Sequence, residues 1–388
     1  MAVTITASPQ KYTPSDNPII FQWYSGSHTL SNFSFIVEVY VDTVLISSHQ
    51  TFTEVVNSIN GYSHLDISEI IRPIVPHAIV GSTSIVTDAS NYRAVYVKIR
   101  EFYGTIPAFH GDATSATIYP FKARLNPIDF DTFNYTDFKC TSNTKRFLTD
   151  SPNDIQITEG QDYYLNIITD NQTDIGIILE FYDSSNTLIT AIDYNAATSF
   201  KVTQFNLNSD NYLASLTQPV LDTVSYVNYY IADSGGSPIS ETKKMYFDRG
   251  CNNGAELIWL NKYGAFDVYN YGHNLVASSD ITTKTFEKQY GGWEGATYTL
   301  DSSNAGVHSY FKTAKDKIKL ISKYIDSDTQ NWLVRSAYIS SLVYMFDATR
   351  QMVNIASTSY EESNDRFVEE TTEIVDLTLP NIRKSILL

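Results

Sequence analysis

The sequence predicts a mainly β protein: tandem immunoglobulin-like or fibronectin-like β-sandwiches over residues 1–125 and 126–250, then a C-terminal β-rich domain over 251–388 with a helix near 328–342. Three observations lead there. First, 28 Tyr and 20 Phe stand beside only 4 Met, with Ser, Thr, Asn and Asp abundant; aromatic side chains suit a pleated, half-buried surface, and short polar ones close turns. Second, apolar residues alternate at period two in several segments. Third, the clusters DNQTD, DSSN and DSGGS separate those segments at about the 8–12-residue spacing of a sandwich. A chain of 388 residues also exceeds what one core organises, so two or three domains are expected.

In the first segment, Phe33 to Val41 places Phe33, Phe35, Val37, Val39 and Val41 on one face, against Ser34, Glu38 and Tyr40. Tyr92 to Arg100 repeats the pattern with Val95, Val97 and Ile99. Between them HLDISEIIRPIVP, from His64, predicts one helical turn with Asp66 or Ser68 as cap and Pro73 as its end. The second segment opens after a turn signal at Asn126-Pro127. Its strands are expected at Asp162–Thr169, Ile175–Tyr182, Leu188–Tyr194 and Val224–Ala232.

The third segment contains ELIWLNKYGAFDVYNY, from Glu256 to Tyr271. Its period predicts a hairpin: strand Leu257–Leu260, turn Asn261-Lys262-Tyr263-Gly264, and returning strand Ala265–Tyr271, with Gly264 supplying positive φ. Thr313–Tyr324 alternates as a strand. Asp326, Ser327 and Asp328 then offer N-caps for a helix over Thr329–Leu342, which sets Trp332, Ser336, Ile339 and Val343 on one face. Strands at Val343–Asp347, Met352–Ala356 and Phe367–Leu379 complete a sheet capped by that helix.

Chemistry has little support in these residues. A nucleophile elbow, a phosphate loop, a dinucleotide fingerprint and a zinc-protease motif are all missing, so no enzyme activity, catalytic residue or cofactor is expected. The nearest carboxylate pair for glycoside hydrolysis is Glu256 with Asp267 across the hairpin. His28, His49, His64, His77, His110, His273 and His308 are scattered singly, without metal-ligand spacing. Gly291-Gly292-Trp293 reads as a turn followed by an aromatic. Trp23, Trp259, Trp293 and the strand VSYVNYYI offer platforms for a sugar ring, but Tyr in a sheet more commonly bridges core and solvent or enters a subunit contact. Cys140 and Cys251 read as free buried thiols.

Charge and hydropathy narrow the partners. Lys and Arg number 27 against 43 Asp and Glu, a net charge of −16, and no basic stripe exists to grip a nucleic-acid backbone. An acidic surface can instead face DNA without adhering to it. No apolar run reaches the roughly eighteen residues of a membrane helix. The opening MAVTITASPQKYTP shows no secretory signal, although the composition is that of a surface-exposed β protein.

Several of these stretches, in order, resemble structural virion proteins of tailed bacteriophages of Bacteroidetes-type hosts, the crAss-like phages among them. They are SPQKYTPSDNPIIF from Ser8, FIVEVYVDTVLISS from Phe35, HLDISEIIRPIV from His64, RFLTDSPNDIQI from Arg146, and PISETKKMYFDRGC followed by LIWLNKYGAFDVYNY. SSLVYMFD from Ser340 and MVNIAST from Met352 continue the similarity. Ala265 stands where that group tends to place a second glycine. The resemblance implies a ring-forming tail or head-to-tail (neck) protein of the virion, made in the host cytoplasm. Its implied partners are copies of itself in a cyclic ring and adjacent tail or portal-proximal proteins around a DNA channel. It implies no catalytic residues, no sequence-specific nucleic-acid binding and no membrane insertion. The competing expectations are a host-glycan-binding adhesin or fibre module, a glycoside hydrolase and an outer-membrane nutrient-binding lipoprotein.

Overall fold

The computed structural model describes residues 3–56, 59–77, 86–172, 175–195, 200–212, 216–249, 255–272, 274–300, 303, 306–346, 350–356 and 370–386. Contacts divide the chain into two compact units, one of Met1–Asp248 with Leu260–Asp267, the other of Arg249–Trp259 with Val268–Leu388. The chain is mainly β, with a few short helices.

The first unit begins with a sandwich. One sheet orders its strands Thr4–Ala7, Ile20–Tyr24, Ile59–Asp66 and Glu54–Val56; the other orders Ala108–Thr114, Val95–Tyr103, Ser34–Val41 and Val44–Thr51. The alternation read from the sequence sends Phe35, Val37, Val39, Val95, Val97 and Ile99 inward, where they meet Phe21 and Trp23 of the opposite sheet. Trp23 packs edge-on to Phe35 at 5.8 Å. On the outer face Tyr40 stacks on Tyr96 at 4.8 Å, and Glu38 accepts an ion pair from Arg100 at 3.2 Å. The helical turn is Ser68–Ile71, and Asp66 starts it: its Oδ1 accepts from the backbone N of Ser68 and of Ile19, each at 2.9 Å.

A second sandwich follows in the same unit. Its five-stranded sheet runs Asp154–Thr158, Lys243–Asp248, Tyr226–Asp233, Ile175–Tyr182 and Leu188–Asn195 in spatial order. Facing it is a three-stranded sheet of Tyr164–Ile168, Val202–Asn206 and Val86–Asp88. The shared core holds Leu165, Ile167 and Phe205 against Ile177, Leu179, Phe181, Val227, Ile231 and Met245. Val86–Asp88 comes from the first segment, so residues 1–125 and 126–250 share a sheet. Asn126-Pro127, expected to turn, instead starts a helix over Pro127–Thr132: Asn126 Oδ1 accepts from Asp129 N at 2.8 Å, and proline fits the first helical position because it has no N–H to orphan.

The expected hairpin is present as Ala255–Leu260 and Phe266–Tyr271. Its turn closes with Asn261 N donating to Ala265 O at 2.8 Å and Gly264 N to Asn261 O at 3.0 Å. Within the first unit this turn is enclosed. Asn91 Nδ2 donates to Gly264 O at 2.7 Å, and Arg124 N donates to Lys262 O at 3.1 Å. Gly264 has φ +76°, and a Cβ there would stand 1.8 Å from the carbonyl oxygen of Lys122.

The second unit is built on a seven-stranded sheet. Its spatial order is Phe266–Tyr271, Ala255–Leu260, Val343–Phe346, Arg350–Ile355, Glu370–Ile386, Gly306–Asp326 and Asn274–Lys288. The expected strand at Phe367–Leu379 is thus described from Glu370 to Ile386, and Phe367 lies outside the described residues. The strand expected at Thr313–Tyr324 is longer, 21 residues.

The helix differs from the expected Thr329–Leu342. Asp326 caps it through Thr329 N at 2.8 Å, the α-helix covers Ser327–Trp332, and a wider π-type turn over Leu333–Ala337 ends it. The helix ends in that turn at Ala337, so Trp332, Leu333, Ser336 and Ala337 are buried while Ile339, placed on the same face by a uniform 3.6-residue period, lies beyond it and is 74% exposed. Trp332 packs on Trp259 at 5.0 Å, and Trp259 Nε1 donates to Ser336 Oγ at 2.9 Å. Gly291-Gly292 also departs from the turn expected there. Both lie in strand Gly291–Glu294, and Gly291 has no space for a Cβ because the Thr299 carbonyl oxygen would stand 2.2 Å away.

The enclosed turn makes Gly264 the most sensitive backbone position in the first unit. Gly264→Ala combines a disfavoured φ with a backbone clash and is expected to lower unfolding stability by more than about 3 kcal/mol, read from the urea midpoint. Gly236, at φ +78° with nothing within 4 Å of its notional Cβ, serves as the control, and alanine there is expected to cost only about 1–2 kcal/mol.

Candidate functional site

Of the carboxylates singled out for hydrolysis, Asp267 is committed to protein donors. Asp267 is 2% exposed and accepts from Thr149 Oγ1 at 2.8 Å and from Asn261 Nδ2 at 3.0 Å. Asn261 completes the arrangement: Nδ2 also donates to Leu148 O at 3.0 Å, and Oδ1 accepts from Tyr263 N at 2.9 Å and Ala265 N at 3.1 Å. Asp267 therefore holds the turn, and its lone pairs point at protein donors. Glu256 is half-buried opposite Phe346 and belongs to the other unit.

Metal chemistry lacks a ligand cluster as well. Among the described residues no group of three or more His, Cys, Asp or Glu is placed to hold an ion. The histidines serve locally: His28 contacts Ser25 O at 3.0 Å, His49 contacts Ser47 Oγ at 2.6 Å, His64 pairs with Glu54 at 3.1 Å, and His110 stacks on Tyr103 at 3.8 Å. His273 and Cys251 lie outside the described residues. Cys140 is fully buried and donates to Gln172 Oε1 at 2.8 Å; burial pushes its thiol up to about 12, so the reactive thiolate is suppressed near neutral pH.

Two further ionisable groups, buried Lys243 and half-buried Asp170, are not legible in the sequence. Lys243 is 3% exposed and donates to Ser151 O at 2.8 Å, Ser151 Oγ at 2.9 Å and Pro152 O at 3.4 Å. Burial lowers its pKa, while the nearby Glu241 and Asp267 oppose that. Asp170 receives Lys11 at 2.7 Å, Tyr12 at 2.6 Å and Lys139 at 2.9 Å. Burial resists ionisation there, but hydrogen bonds from Lys11, Tyr12 and Lys139 outweigh it and hold the carboxyl at about 2. Lys11 and Tyr12 lie far from Lys139 and Asp170 in sequence, and only the fold brings them together.

Two of the surface depressions bear on small-molecule binding. One, about 460 Å³ in the first unit, is lined by Asp129, Phe133, Asp137, Lys145, Arg146 and Tyr263 among others. Its charges are engaged locally, with Lys145 3.8 Å from Asp137 and Lys262 3.0 Å from Asp129. The other, about 500 Å³ in the second unit, lies along Ala277–Ser279 and Asp316–Ile318. Neither gathers convergent polar groups on an apolar wall, which is what a small-molecule site requires.

The sugar platforms separate sharply. Trp23 and Trp259 are fully buried, which removes them as binding surfaces, and Trp332 is 6% exposed. Tyr229 of the Tyr-rich strand is buried in the second sandwich, and Tyr226 lies between Tyr182 at 5.0 Å and Tyr246 at 5.8 Å on the outer face. Trp293 alone among the four tryptophans is open, at 74% exposure, with Tyr298 edge-on at 5.4 Å.

Trp293 belongs to an arm. Asn274–Lys288 pairs with Gly306–Asp326 from Asn274↔Ile321 to Lys288↔Gly306, and the hairpin Gly291–Glu294 with Thr297–Leu300 lies between them in sequence. The unit's core takes Leu275, Ile318, Leu320 and Ile325 from these strands, and residues 276–290 and 292–300 are all exposed. Ile281, Phe286, Tyr290, Leu300, Val307 and Tyr310 are open beside Trp293 and Tyr298. Local periodicity predicts no strand between 274 and 312, although the Thr, Val and Ile content of NLVASSDITTKTFEK is a strand signal.

The Asp170 cluster yields a pH test. Its carboxyl ionises at about 2 when folded, against about 3.9 in an unfolded chain, so its contribution is whole above about pH 4 and is lost as pH falls towards 2. Asp170→Asn is expected to lower stability by about 2–4 kcal/mol at pH 7 and to flatten the acid limb of stability against pH, measured by urea unfolding at several pH values. No known family model matches the chain, and comparison with curated proteins gives no match either.

Proposed function

We propose that this chain is a structural component of a tailed-bacteriophage virion, a ring-forming tail or head-to-tail protein. In this reading it assembles with copies of itself and with adjoining tail or portal-proximal proteins around the DNA channel. The observation that carries the reading is the arm, whose apolar side chains are exposed among the described residues. An exposed apolar surface of this extent marks an interaction site. The order of motifs that resembles phage tail and neck proteins supplies the kind of assembly, and the net charge of −16 suits a surface past which DNA slides.

One observation favours a second reading. Trp293 with Tyr298 forms an exposed aromatic pair that a pyranose ring could stack on, as in a host-glycan-binding fibre module. The two readings separate by experiment. In the first, imaging of intact particles traces this chain into a closed collar on the tail axis, and absence from purified particles overturns the reading. In the second, host-surface polysaccharide quenches tryptophan fluorescence saturably in the wild type and not in Trp293→Phe. Since the other three tryptophans are buried, no quenching by polysaccharide is the expected outcome for a virion ring protein.

A further inference from the structure

We infer that the first sandwich holds, beside His64 on strand Ile59–Asp66, an acceptor site for an extended strand of a partner protein. The second sandwich fills the equivalent site with Val86–Asp88. The site stands apart from the virion reading, since a strand acceptor serves any protein assembly.

The two sandwiches share one plan, although no repeat is legible in their sequences. In the first, Ile67 N donates to Ile19 O at 3.0 Å, and Asp66 Oδ1 accepts from Ile19 N and Ser68 N, each at 2.9 Å. In the second, Leu207 N donates to Tyr163 O at 2.8 Å, and Asn206 Oδ1 accepts from Tyr163 N at 3.4 Å and Asn208 N at 3.1 Å. At the far end of the same strand pairs, Ser25 N donates to Gly61 O and Thr169 N to Lys201 O, both at 3.0 Å. Between these ends the registers coincide: Phe21 faces Leu65 as Leu165 faces Phe205, and Gln22 faces His64 as Asn166 faces Gln204. The opposite sheets match as well. Tyr40 stacks on Tyr96 with its hydroxyl on Glu38, and Tyr182 stacks on Tyr226 with its hydroxyl on Glu180. His64 and Gln204 therefore occupy equivalent positions.

They differ in what lies beside them. Hydrogen bonds of an antiparallel strand alternate sides, and those at Gly61 and Ile67 turn the backbone N–H and C=O of residues 61, 63, 65 and 67 towards Ile20–Tyr24. The groups of Tyr62 and His64 point to the opposite flank. In the second sandwich that flank carries Val86–Asp88, with Thr87 opposite Gln204 and Ala89 N donating to Val202 O at 3.1 Å. In the first, Glu54 lies opposite Tyr62, and its strand then runs away from His64 towards Asn60 and Ile59. Glu54 reaches His64 through its side chain, at 3.1 Å. Among the described residues no strand lies beside His64 on this flank. Burial differs accordingly: Gln204 and Phe205 are 2% and 0% exposed, whereas His64 is exposed and Leu65 half-buried.

The filled site shows the chemistry of the occupant. Unpaired N–H and C=O groups on a strand flank are satisfied by the backbone of an added strand, and alternate side chains of that strand supply selectivity. Val86, opposite Phe205, packs on the core, and Thr87 points to the other face. The first sandwich thus takes an extended segment with a β-branched apolar residue opposite Leu65. Val86–Asp88 is tethered by its own chain, whereas a free segment lacks the millimolar effective concentration that a short tether gives.

The test uses the donor strand itself as probe: a capped peptide of residues 84–90, SIVTDAS, and its Thr87→Pro form, each at about 5 mM with the full chain. Amide exchange is followed residue by residue by NMR. SIVTDAS is expected to slow exchange of the His64 amide by about 5-fold and to shift the Leu65 amide resonance. The proline form, which lacks the central N–H donor, is expected to do neither. In His64→Pro the melting curve should be unchanged, because an N–H facing an open flank is the one a strand can lose, and the Leu65 shift with SIVTDAS should vanish. No effect of SIVTDAS at His64, an equal effect of the proline form, or an effect confined to other strands each overturns the inference. So does a His64→Pro chain that fails to fold, since that N–H would then be engaged within the sandwich. Absence of the chain from particles overturns the virion reading alone.

Discussion

The first unit depends on satisfying one buried carboxylate. Asp267 is ionisable and almost without solvent, and a charge in that position is tolerated only if its oxygens meet donors. Thr149 and Asn261 provide them, and in doing so they fix a five-residue turn among Tyr12, Phe121, Phe133, Phe138, Leu148 and Ile168. Side chains of both expected sandwich segments thus converge on one turn. The aromatic cluster around it is the hydrophobic counterpart of the polar network, and each makes the other's geometry unique.

The parts legible in the sequence were those governed by local periodicity. Alternation fixed which residues of Ser34–Val41 and Val95–Tyr103 face the core, and the Asn261–Gly264 turn follows from hairpin geometry. Local rules failed where a non-local partner or a break in period decides. A uniform helical period misplaced Ile339 because the helix ends in the π-type turn at Ala337, before that residue. Asn126-Pro127 has the composition of a turn, and that same composition caps a helix. The Asp170 cluster joins Lys11, Tyr12 and Lys139 across up to 159 residues, and no spacing rule reaches so far. Exposure of Trp293 against burial of Trp23 is likewise a property of the fold, since all tryptophans look alike in sequence.

The distribution of chemistry follows from the same constraints. Buried Lys243 and half-buried Asp170 are held by protein partners that stabilise the fold. Cys140 is a packed small side chain with a suppressed thiolate. What remains open on the second unit is apolar surface on a long arm, and apolar surface is the material of association, since it is non-directional and scales with area.

Val86–Asp88 pairs with Val202–Asn206, with Asp88 opposite Thr203, 203 − 88 = 115 residues later. Ribosomes add roughly 5–20 residues per second, so this short strand waits on the order of 10 s after emerging before its mate exists. The first sandwich takes its strands from Thr4–Thr114 and can close on its own, but Val86–Asp88, made along with it, belongs to the second sandwich. That strand stays unpaired while those 115 residues are made, a stage at which chaperones have both time and reason to bind.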